Sequence, residues 1–283
     1  MAQDAHPTLV ETDWLEQNIG NSSIRIVDAS WHMAAAGRNG ADEFAAAHIP
    51  GAVFWDIDAV ADPSSSLPHM MPDEATFERH MKALGISNDH HVVVYDNVSM
   101  MTCARAWWAL RAFGHQQVSL LNGGLVKWQA EGRATTAAPT AIPDTSFKAV
   151  FNPAMIRSID DVRANIDNNG EQVLDARSAG RFAATEPEPR PECRSGHIPG
   201  SLNLPFNTLI EPKTATIRPQ NELAAHLAES GIDAGRPVIT SCGSGITACV
   251  LALAMHLTGK DDVAVYDGSW TEWGGRTDTP VET

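Results

Sequence analysis

The chain has 283 residues, of which 43% are hydrophobic and 19% are charged, and its 20 Lys and Arg residues against 35 Asp and Glu residues give a formal net charge of −15. This composition excludes a disordered chain, and the length suggests two domains at about 100 to 200 residues per domain. The acidic excess is spread over both halves. Neither half therefore offers the basic surface that nucleic acid or an anionic membrane requires.

The predicted elements alternate along the chain between short β-branched runs and longer helical patterns. The predicted strands are 24–27, 92–95, 118–121, 173–174, 238–241 and 263–266. The predicted helices are 73–84, 104–113, 219–230 and 247–257. This alternation predicts an α/β fold in which parallel sheets are flanked by helices.

No stretch approaches the roughly 18 apolar residues of a membrane span, and the first ten residues lack the basic and apolar regions of a secretory signal. We therefore expect a soluble cytoplasmic protein with no nucleic-acid or membrane partner. The four cysteines have unrelated spacings and no Cys-x-x-Cys pair, which is typical of neither a disulfide framework nor a zinc site. The eleven histidines are scattered, and we expect no metal and no organic cofactor.

Several segments of the first half return in the second half at offsets of 145 to 149 residues. The segment HIPGA at 48–52 returns as HIPGS at 197–201, and VVVYD ending at Asp96 returns as VITSC ending at Cys242. A near-constant period of this length indicates two homologous domains. Because His48 and His197 occur in both copies, we expect them to serve the common scaffold.

The stretch 135–152 is rich in Ala, Thr and Pro and has no helical or alternating pattern, so we place the domain boundary within it. The predicted organisation is a first domain at 1–140, a linker at 141–152 and a second domain at 153–283.

Cys242 draws attention because ligands of parallel sheets bind beyond the carboxyl ends of the strands. The glycines Gly243 and Gly245 permit dihedral angles that let successive backbone N–H groups converge on one anion, and a helix is predicted from Thr247. These features favour a thiolate nucleophile or a bound persulfide at Cys242. The competing interpretation, a small buried residue beside a turn, is disfavoured because only one copy has a cysteine here.

The tandem repeat, the HIPG segments and the CGSGITA loop at 242–248 together resemble the two-domain rhodanese-like sulfurtransferases over nearly the whole chain. The resemblance is to the branch that uses 3-mercaptopyruvate. Thiosulfate-using members carry basic residues after the cysteine, where Gly243 and Ser244 stand here. Related cysteine phosphatases close the loop with an arginine, where this chain has Ala248.

This resemblance implies two tandem rhodanese-like domains, of which only the second is catalytic. It implies sulfur transfer from 3-mercaptopyruvate to a Cys242 persulfide, with release of pyruvate, followed by transfer to thioredoxin, a small thiol or cyanide. Two alternatives stay open: a thiosulfate:cyanide sulfurtransferase, and a non-catalytic sulfur carrier or regulatory module.

The resemblance also implies a set of binding residues. Arg181 and Arg190 lie in segments that match the family's arginines for the substrate carboxylate and carbonyl, and a guanidinium fork suits both groups. Two surface arginines that neutralise neighbouring glutamates are the alternative. Arg105 matches a further arginine of the family. The remaining predicted binding positions belong to the loop after the cysteine, namely Gly243, Gly245, Ile246 and Thr247.

The departing enolate of pyruvate must be protonated, so we expect general acid–base assistance. The resemblance implies that Ser244, His69 and Asp58 form a serine–histidine–aspartate arrangement contributed by both domains. Asp56 is an alternative partner for the histidine. The roles of Cys103 and Cys193 stay open.

Overall fold

The computed structural model describes residues 6–283, which form two compact units. The first unit extends to Pro63 and also contains Met71–Phe151 and Glu211–Ile217. The second unit consists of Ser64–Met70, Asn152–Ile210 and Arg218–Thr283. Each unit therefore includes one seven-residue segment from the other half of the chain, and the two segments start at residues 64 and 211, one repeat period apart.

The first unit is a five-stranded parallel sheet flanked by helices, with strand order β1-β5-β4-β2-β3. The strands are β1 (Leu9–Val10), β2 (Ile24–Asp28), β3 (Ala52–Phe54), β4 (His91–Tyr95) and β5 (Val118–Leu121). The helices are α1 (Thr12–Asn18), α2 (Gly40–Ala46), α3 (Glu74–Ala83), α4 (Cys103–Ala112) and α5 (Gly124–Ala130).

The second unit repeats this architecture, with strand order β6-β10-β9-β7-β8 and every pair parallel. The strands are β6 (Ile156–Arg157), β7 (Gln172–Asp175), β8 (Leu202–Asn203), β9 (Val238–Ser241) and β10 (Val263–Tyr266). The helices are α6 (Ile159–Asn168), α7 (Ala179–Phe182), α8 (Gln220–Glu229), α9 (Ala248–Leu257) and α10 (Ser269–Trp273). The predicted α/β fold with two parallel sheets is confirmed.

The central strands β4 and β9 are buried along their whole length, as their continuous β-branched runs predict for strands covered on both faces. The helix after each central strand is also buried on nearly every side, and α9 carries an unbroken apolar run from Ala248 to Met255. Each of these loops, between a central strand and its helix, is thus anchored at both ends in a core.

The repeated histidines hold equivalent places in the two scaffolds. His48 Nδ1 bonds to the carbonyl of Phe44 at 2.7 Å, and His197 Nδ1 bonds to the carbonyl of Phe182 at 2.8 Å. Each imidazole also stacks on the ring of the same phenylalanine whose carbonyl it contacts. These contacts support the scaffold role expected for both histidines.

All six predicted strands and all four predicted helices are present. The prediction missed the strands β1, β3, β6 and β8, which have only two or three residues and show no alternating pattern. Within residues 6–283, the helices reach ten residues at most, and none has the length and apolarity needed to cross a bilayer.

Candidate active site

Cys242 directly follows β9, the central strand of the second sheet, and its side chain is buried. Its backbone N–H donates to Ser269 Oγ at 3.2 Å, and its carbonyl accepts from the N–H of Trp270 at 3.0 Å. Ser269 has a left-handed backbone, with φ of 48°, and its hydroxyl donates to the carbonyl of Tyr266 at 2.7 Å. The start of α10 therefore fixes the backbone of Cys242 from both sides.

Sequence reasoning missed this support from Ser269 and Trp270. The available signal was the segment DGSWTEW at 267–273, which repeats NGGLVKW at 122–128 and by itself indicates only a common scaffold element.

The two glycines of the loop have different roles. Gly245 has φ of +77°, a left-handed conformation that favours glycine, as predicted. The prediction was wrong for Gly243, whose φ is not positive. A Cβ atom built on Gly243 would lie 3.5 Å from Arg181 Nη2 and 3.8 Å from Arg190 Nη1. Gly243 thus lies directly against two guanidinium groups.

The backbone N–H groups of this loop are available to a ligand. In the part of the chain that the structure describes, the N–H groups of Gly243, Ile246 and Thr247 donate to no protein acceptor. The carbonyl of Gly243, in contrast, is held by the N–H and hydroxyl of Thr271, at 2.8 and 2.6 Å. The loop is fixed through its carbonyl side, while these N–H donors remain free.

The equivalent loop of the first unit shows what such donors bind. Asp96 follows the central strand β4, as Cys242 follows β9, and it is fully buried. Its carboxylate accepts from the backbone N–H groups of Val98, Met100, Thr102 and Cys103 at 2.7 to 3.1 Å, and from Thr102 Oγ1 at 3.2 Å. The loop in this position is therefore an anion-binding loop, and in the first unit a carboxylate of the chain fills it.

The two predicted binding arginines lie together in the second unit. Arg181 belongs to the short helix α7, where Ser178 caps the helix and accepts from the N–H of Arg181. Arg190 is half-buried in the loop that follows. Their guanidinium groups both approach Gly243, so two positive charges lie beside the residue next to Cys242.

A buried ion-pair chain supports Arg181, and sequence reasoning missed it. Glu188 Oε2 accepts from Arg181 Nη2 at 2.6 Å, and Glu188 Oε1 accepts from Arg177 Nη1 at 2.7 Å. Arg177 also binds Asp175, with Nη2 to Oδ2 at 2.6 Å. The available signal was the segment LDAR at 174–177, which repeats VDAS at 27–30 and places Asp175 and Arg177 two residues apart.

The structure also brings Ser244 and His69 together within the second unit, because Ser64–Met70 belongs to it. His69 Nδ1 lies 3.1 Å from Ser244 Oγ, and both side chains are buried. The backbone of His69 is left-handed, with φ of 64°, which is uncommon for a residue with a side chain and is found at functional sites.

Asp58 and Arg105 belong to the first unit, and their roles stay predictions. The Asp58 carboxylate accepts from Trp31 Nε1 at 2.8 Å. Asp56, the alternative partner of the histidine, uses Oδ1 to accept from the backbone N–H groups of Asp58 and Ala59, which closes a turn. Arg105 is buried on α4.

Of the other three cysteines, Cys103 and Cys193 are in environments that favour the neutral thiol. Burial raises the pKa of Cys103 well above the ordinary value. Burial, with the negative charges of Glu192 and Glu188, raises the pKa of Cys193. Cys249 is buried on α9, and its thiol lies 3.2 Å from the carbonyl of Gly245.

No group of three or more His, Cys, Asp or Glu side chains within residues 6–283 is arranged to hold a metal ion.

Comparison with known proteins identifies the family. The model of the rhodanese-like domain matches residues 11–131 and 158–276. The chain is 43% identical to 3-mercaptopyruvate sulfurtransferase of Escherichia coli (strain K12), covering 96% of this chain and 97% of that protein. It is 40% identical to Thiosulfate/3-mercaptopyruvate sulfurtransferase 1, mitochondrial, of Arabidopsis thaliana, covering 97% of this chain and 78% of that protein.

A solved structure extends the likeness to three dimensions. The crystal structure of SseA from Escherichia coli, described as a 3-mercaptopyruvate sulfotransferase, matches with a TM-score of 0.85 at 39% identity and covers 94% of this chain and 99% of that one. With two matched domains and relatives of this similarity, the chain belongs to the rhodanese-like family.

Proposed function

We propose that the protein is a sulfurtransferase that takes sulfur from 3-mercaptopyruvate. The observation that carries this proposal is the position of Cys242, beside free loop N–H groups and two arginines, where the first unit holds the carboxylate of Asp96. The E. coli relative of similar length, named for this substrate, supports the choice of donor.

In the first half-reaction, the Cys242 thiolate attacks the sulfur of 3-mercaptopyruvate. The carbon–sulfur bond breaks, its electron pair stays on carbon as the enolate of pyruvate, and the sulfur remains on Cys242 as a persulfide. Arg181 and Arg190 bind the carboxylate and carbonyl of the donor, since guanidinium groups pair well with such oxygens. The free N–H groups of the loop stabilise the negatively charged sulfur.

The enolate needs a proton to leave as pyruvate. Ser244 and His69 supply a pathway, because His69 Nδ1 is within hydrogen-bonding distance of Ser244 Oγ. Asp58 completes the arrangement in this proposal by orienting the imidazole.

In the second half-reaction, an acceptor attacks the outer sulfur and restores the Cys242 thiolate. We propose thioredoxin, a small thiol or cyanide as acceptor. A thiol acceptor becomes a persulfide, and a second thiol then releases hydrogen sulfide and leaves a disulfide. All four cysteines are free, which suits a reducing compartment, and we propose the cytoplasm.

Thiosulfate is not favoured as the main donor. The loop 243–247 has no basic side chain that would bind a second negative charge. A purely regulatory module is also not favoured, since such a module needs neither the free N–H donors nor the arginines beside Gly243.

Intact-mass measurement after incubation with 3-mercaptopyruvate tests the proposal. The protein should gain one sulfur atom and release one equivalent of pyruvate, and Cys242→Ser should do neither. The matched control is Cys193→Ser, which should behave as the unsubstituted protein because burial and the neighbouring glutamates raise the pKa of the Cys193 thiol. A sulfur gain that persists in Cys242→Ser, or thiosulfate kcat/KM equal to that of 3-mercaptopyruvate, would refute the proposal.

A further inference from the structure

Glu188 is a carboxylate enclosed by the arginines of the second unit. Its side chain is only 4% exposed, and each of its oxygens accepts from a different guanidinium, Arg177 at 2.7 Å and Arg181 at 2.6 Å. Arg181 Nε also lies 3.2 Å from Glu188 Oε1. A buried carboxylate with two charged donors is held in one position, and it holds both arginines in turn.

Arg177, which pairs with both Glu188 and Asp175, is held rigidly. Arg177 is completely buried, binds both oxygens of Asp175 and donates to the carbonyl of Gly196 at 2.8 Å. Its guanidinium also lies over the ring of Trp270, 4.3 Å from the centroid. Since Trp270 donates its backbone N–H to the carbonyl of Cys242, the chain of ion pairs is packed against the support of the nucleophile.

The charges of the side chains in these ion pairs cancel. Two arginines, Arg177 and Arg181, are matched by two carboxylates, Asp175 and Glu188. Arg190 forms no ion pair in the described residues, so it contributes the one uncompensated positive charge beside Gly243. The ion-paired side chains and Arg190 together carry one net positive charge, which matches a ligand with one negative charge better than a ligand with two.

We propose that Glu188 is a positioning and specificity-determining residue, which holds the Arg181 guanidinium beside Gly243 and limits the site to singly charged carboxylate donors. This inference rests on the proposed function and adds the selection of donor charge to it. Glu188 acts through Arg181 and does not contact the reacting atoms.

The physical effect of removing the Glu188 charge has a definite sign. Glu188→Gln keeps the shape and one acceptor oxygen, but it leaves Arg181 without its counter-charge. The loss of this negative charge favours a dianion by about twice the free energy by which it favours a monoanion, because the Coulomb energy is proportional to charge. The preference for a singly charged ligand must therefore fall.

Protection of Cys242 from alkylation by iodoacetamide measures this preference without any sulfur transfer. Pyruvate is the monoanionic probe and sulfate is the dianionic probe. In Glu188→Gln, the ratio of the sulfate to the pyruvate protection constant should increase roughly tenfold. The ratio of thiosulfate to 3-mercaptopyruvate kcat/KM should increase in the same direction.

Glu186→Gln is the matched control, since Glu186 lies in the same Glu-Pro-Glu-Pro-Arg segment and is exposed, with its carboxylate accepting from Ser178 Oγ at 2.7 Å. In Glu186→Gln, the ratio of the sulfate to the pyruvate protection constant should stay within about twofold of the value for the unsubstituted protein. Glu188→Asp keeps the charge on a shorter side chain. It should keep the sulfate-to-pyruvate ratio but raise KM for 3-mercaptopyruvate, because one carboxylate can no longer reach both arginines.

A folded Glu188→Gln variant with an unchanged protection ratio would overturn the inference, as would an equal change in Glu186→Gln. If Glu188→Gln does not fold, Glu188→Asp provides the test. A change in its ratio of sulfate to pyruvate protection constants, together with the change in KM, would overturn the inference. A failure of the proposed function has a different signature, since the unchanged chain would then gain no sulfur from 3-mercaptopyruvate.

Discussion

Asp96 and Cys242 occupy equivalent positions in the two units, each directly after the central strand of a five-stranded parallel sheet. In one unit the loop N–H groups bind the carboxylate of Asp96, and in the other the N–H groups of Gly243, Ile246 and Thr247 have no protein acceptor in the described residues. The same loop position thus serves the stability of the first unit and the chemistry proposed for the second.

Replacing Asp96 should destabilise the protein. Asp96→Ala leaves three buried N–H groups, the half-buried N–H of Val98 and the Thr102 hydroxyl without their acceptor, so we expect a loss of at least about 3 kcal/mol in the free energy of unfolding. Urea unfolding measures the loss. Asp89→Ala, at an exposed position, should change the free energy by less than about 0.5 kcal/mol. Equal stability of the two variants would contradict the structural role of Asp96.

Removing the guanidinium groups beside Gly243 should weaken donor binding. Arg181→Ala and Arg190→Ala should each raise KM for 3-mercaptopyruvate roughly 10- to 100-fold, since a charged hydrogen bond contributes about 1.5 to 3 kcal/mol. Steady-state kinetics with saturating acceptor measure the change. Arg276→Ala is a control in the same unit, because Arg276 is exposed and pairs with Asp278. Donor kinetics that are unchanged in both variants would remove the two arginines from the site.

The pair of Ser244 and His69 should act on the release of pyruvate rather than on donor binding. His69→Gln and Ser244→Ala should lower the rate of the first half-reaction by about 10²-fold or more, with a smaller change in KM. Rapid-mixing measurement of pyruvate release gives this rate directly. The double variant should be no slower than the slower single variant if the two residues act together. Additive losses would show that they act separately.

Acid should destabilise the first unit through two buried histidines. Burial lowers the pKa of both His91 and His115 from 6.5 to about 4. The unfolded chain therefore binds more protons between these values, and stability falls as the pH decreases from about 6.5 to about 4. Asp28 opposes this effect, because burial raises the pKa of its carboxyl to about 6.

A comparison of variants isolates the histidine contribution, since Asp28 acts in all of them. Urea unfolding at pH 7 and pH 4.5 should show a smaller loss of stability in His115→Gln than in the unchanged chain, by about 2 kcal/mol. His226→Gln, on the partly exposed face of α8, should show the same loss as the unchanged chain. A pH dependence that is identical in all three proteins would refute this account.

The fold was predictable to the extent that the sequence pattern is local. The strand β9 and the helix α9 are continuous apolar runs, and the repeat period relates the two units without any structural information. The edge strands were missed because two or three residues carry no periodic signal. In β1, only pairing with β5 defines Leu9–Val10 as a strand.

Sequence motifs indicated Cys242, Arg181 and Arg190, and the structure places the two guanidinium groups beside Gly243, the residue after Cys242. The buried pairs of Glu188 were not predicted, because an acidic residue in a Pro-rich segment is typical of an exposed loop. Gly243 was misinterpreted for a related reason. A sequence shows that a position lacks a side chain, but only the structure shows that two guanidinium groups lie against it.

The segments Ser64–Met70 and Glu211–Ile217, each of which belongs to the unit formed mainly by the other half, limit where the polypeptide can be divided. A cut in the stretch between the repeats would separate His69 from Ser244, although both belong to one folded unit. A truncated chain of residues 153–283 alone would therefore lack His69 and, with it, the arrangement proposed with Ser244. Because the two segments are equivalent in the repeat, each folded unit is complete only when both halves of the chain are present.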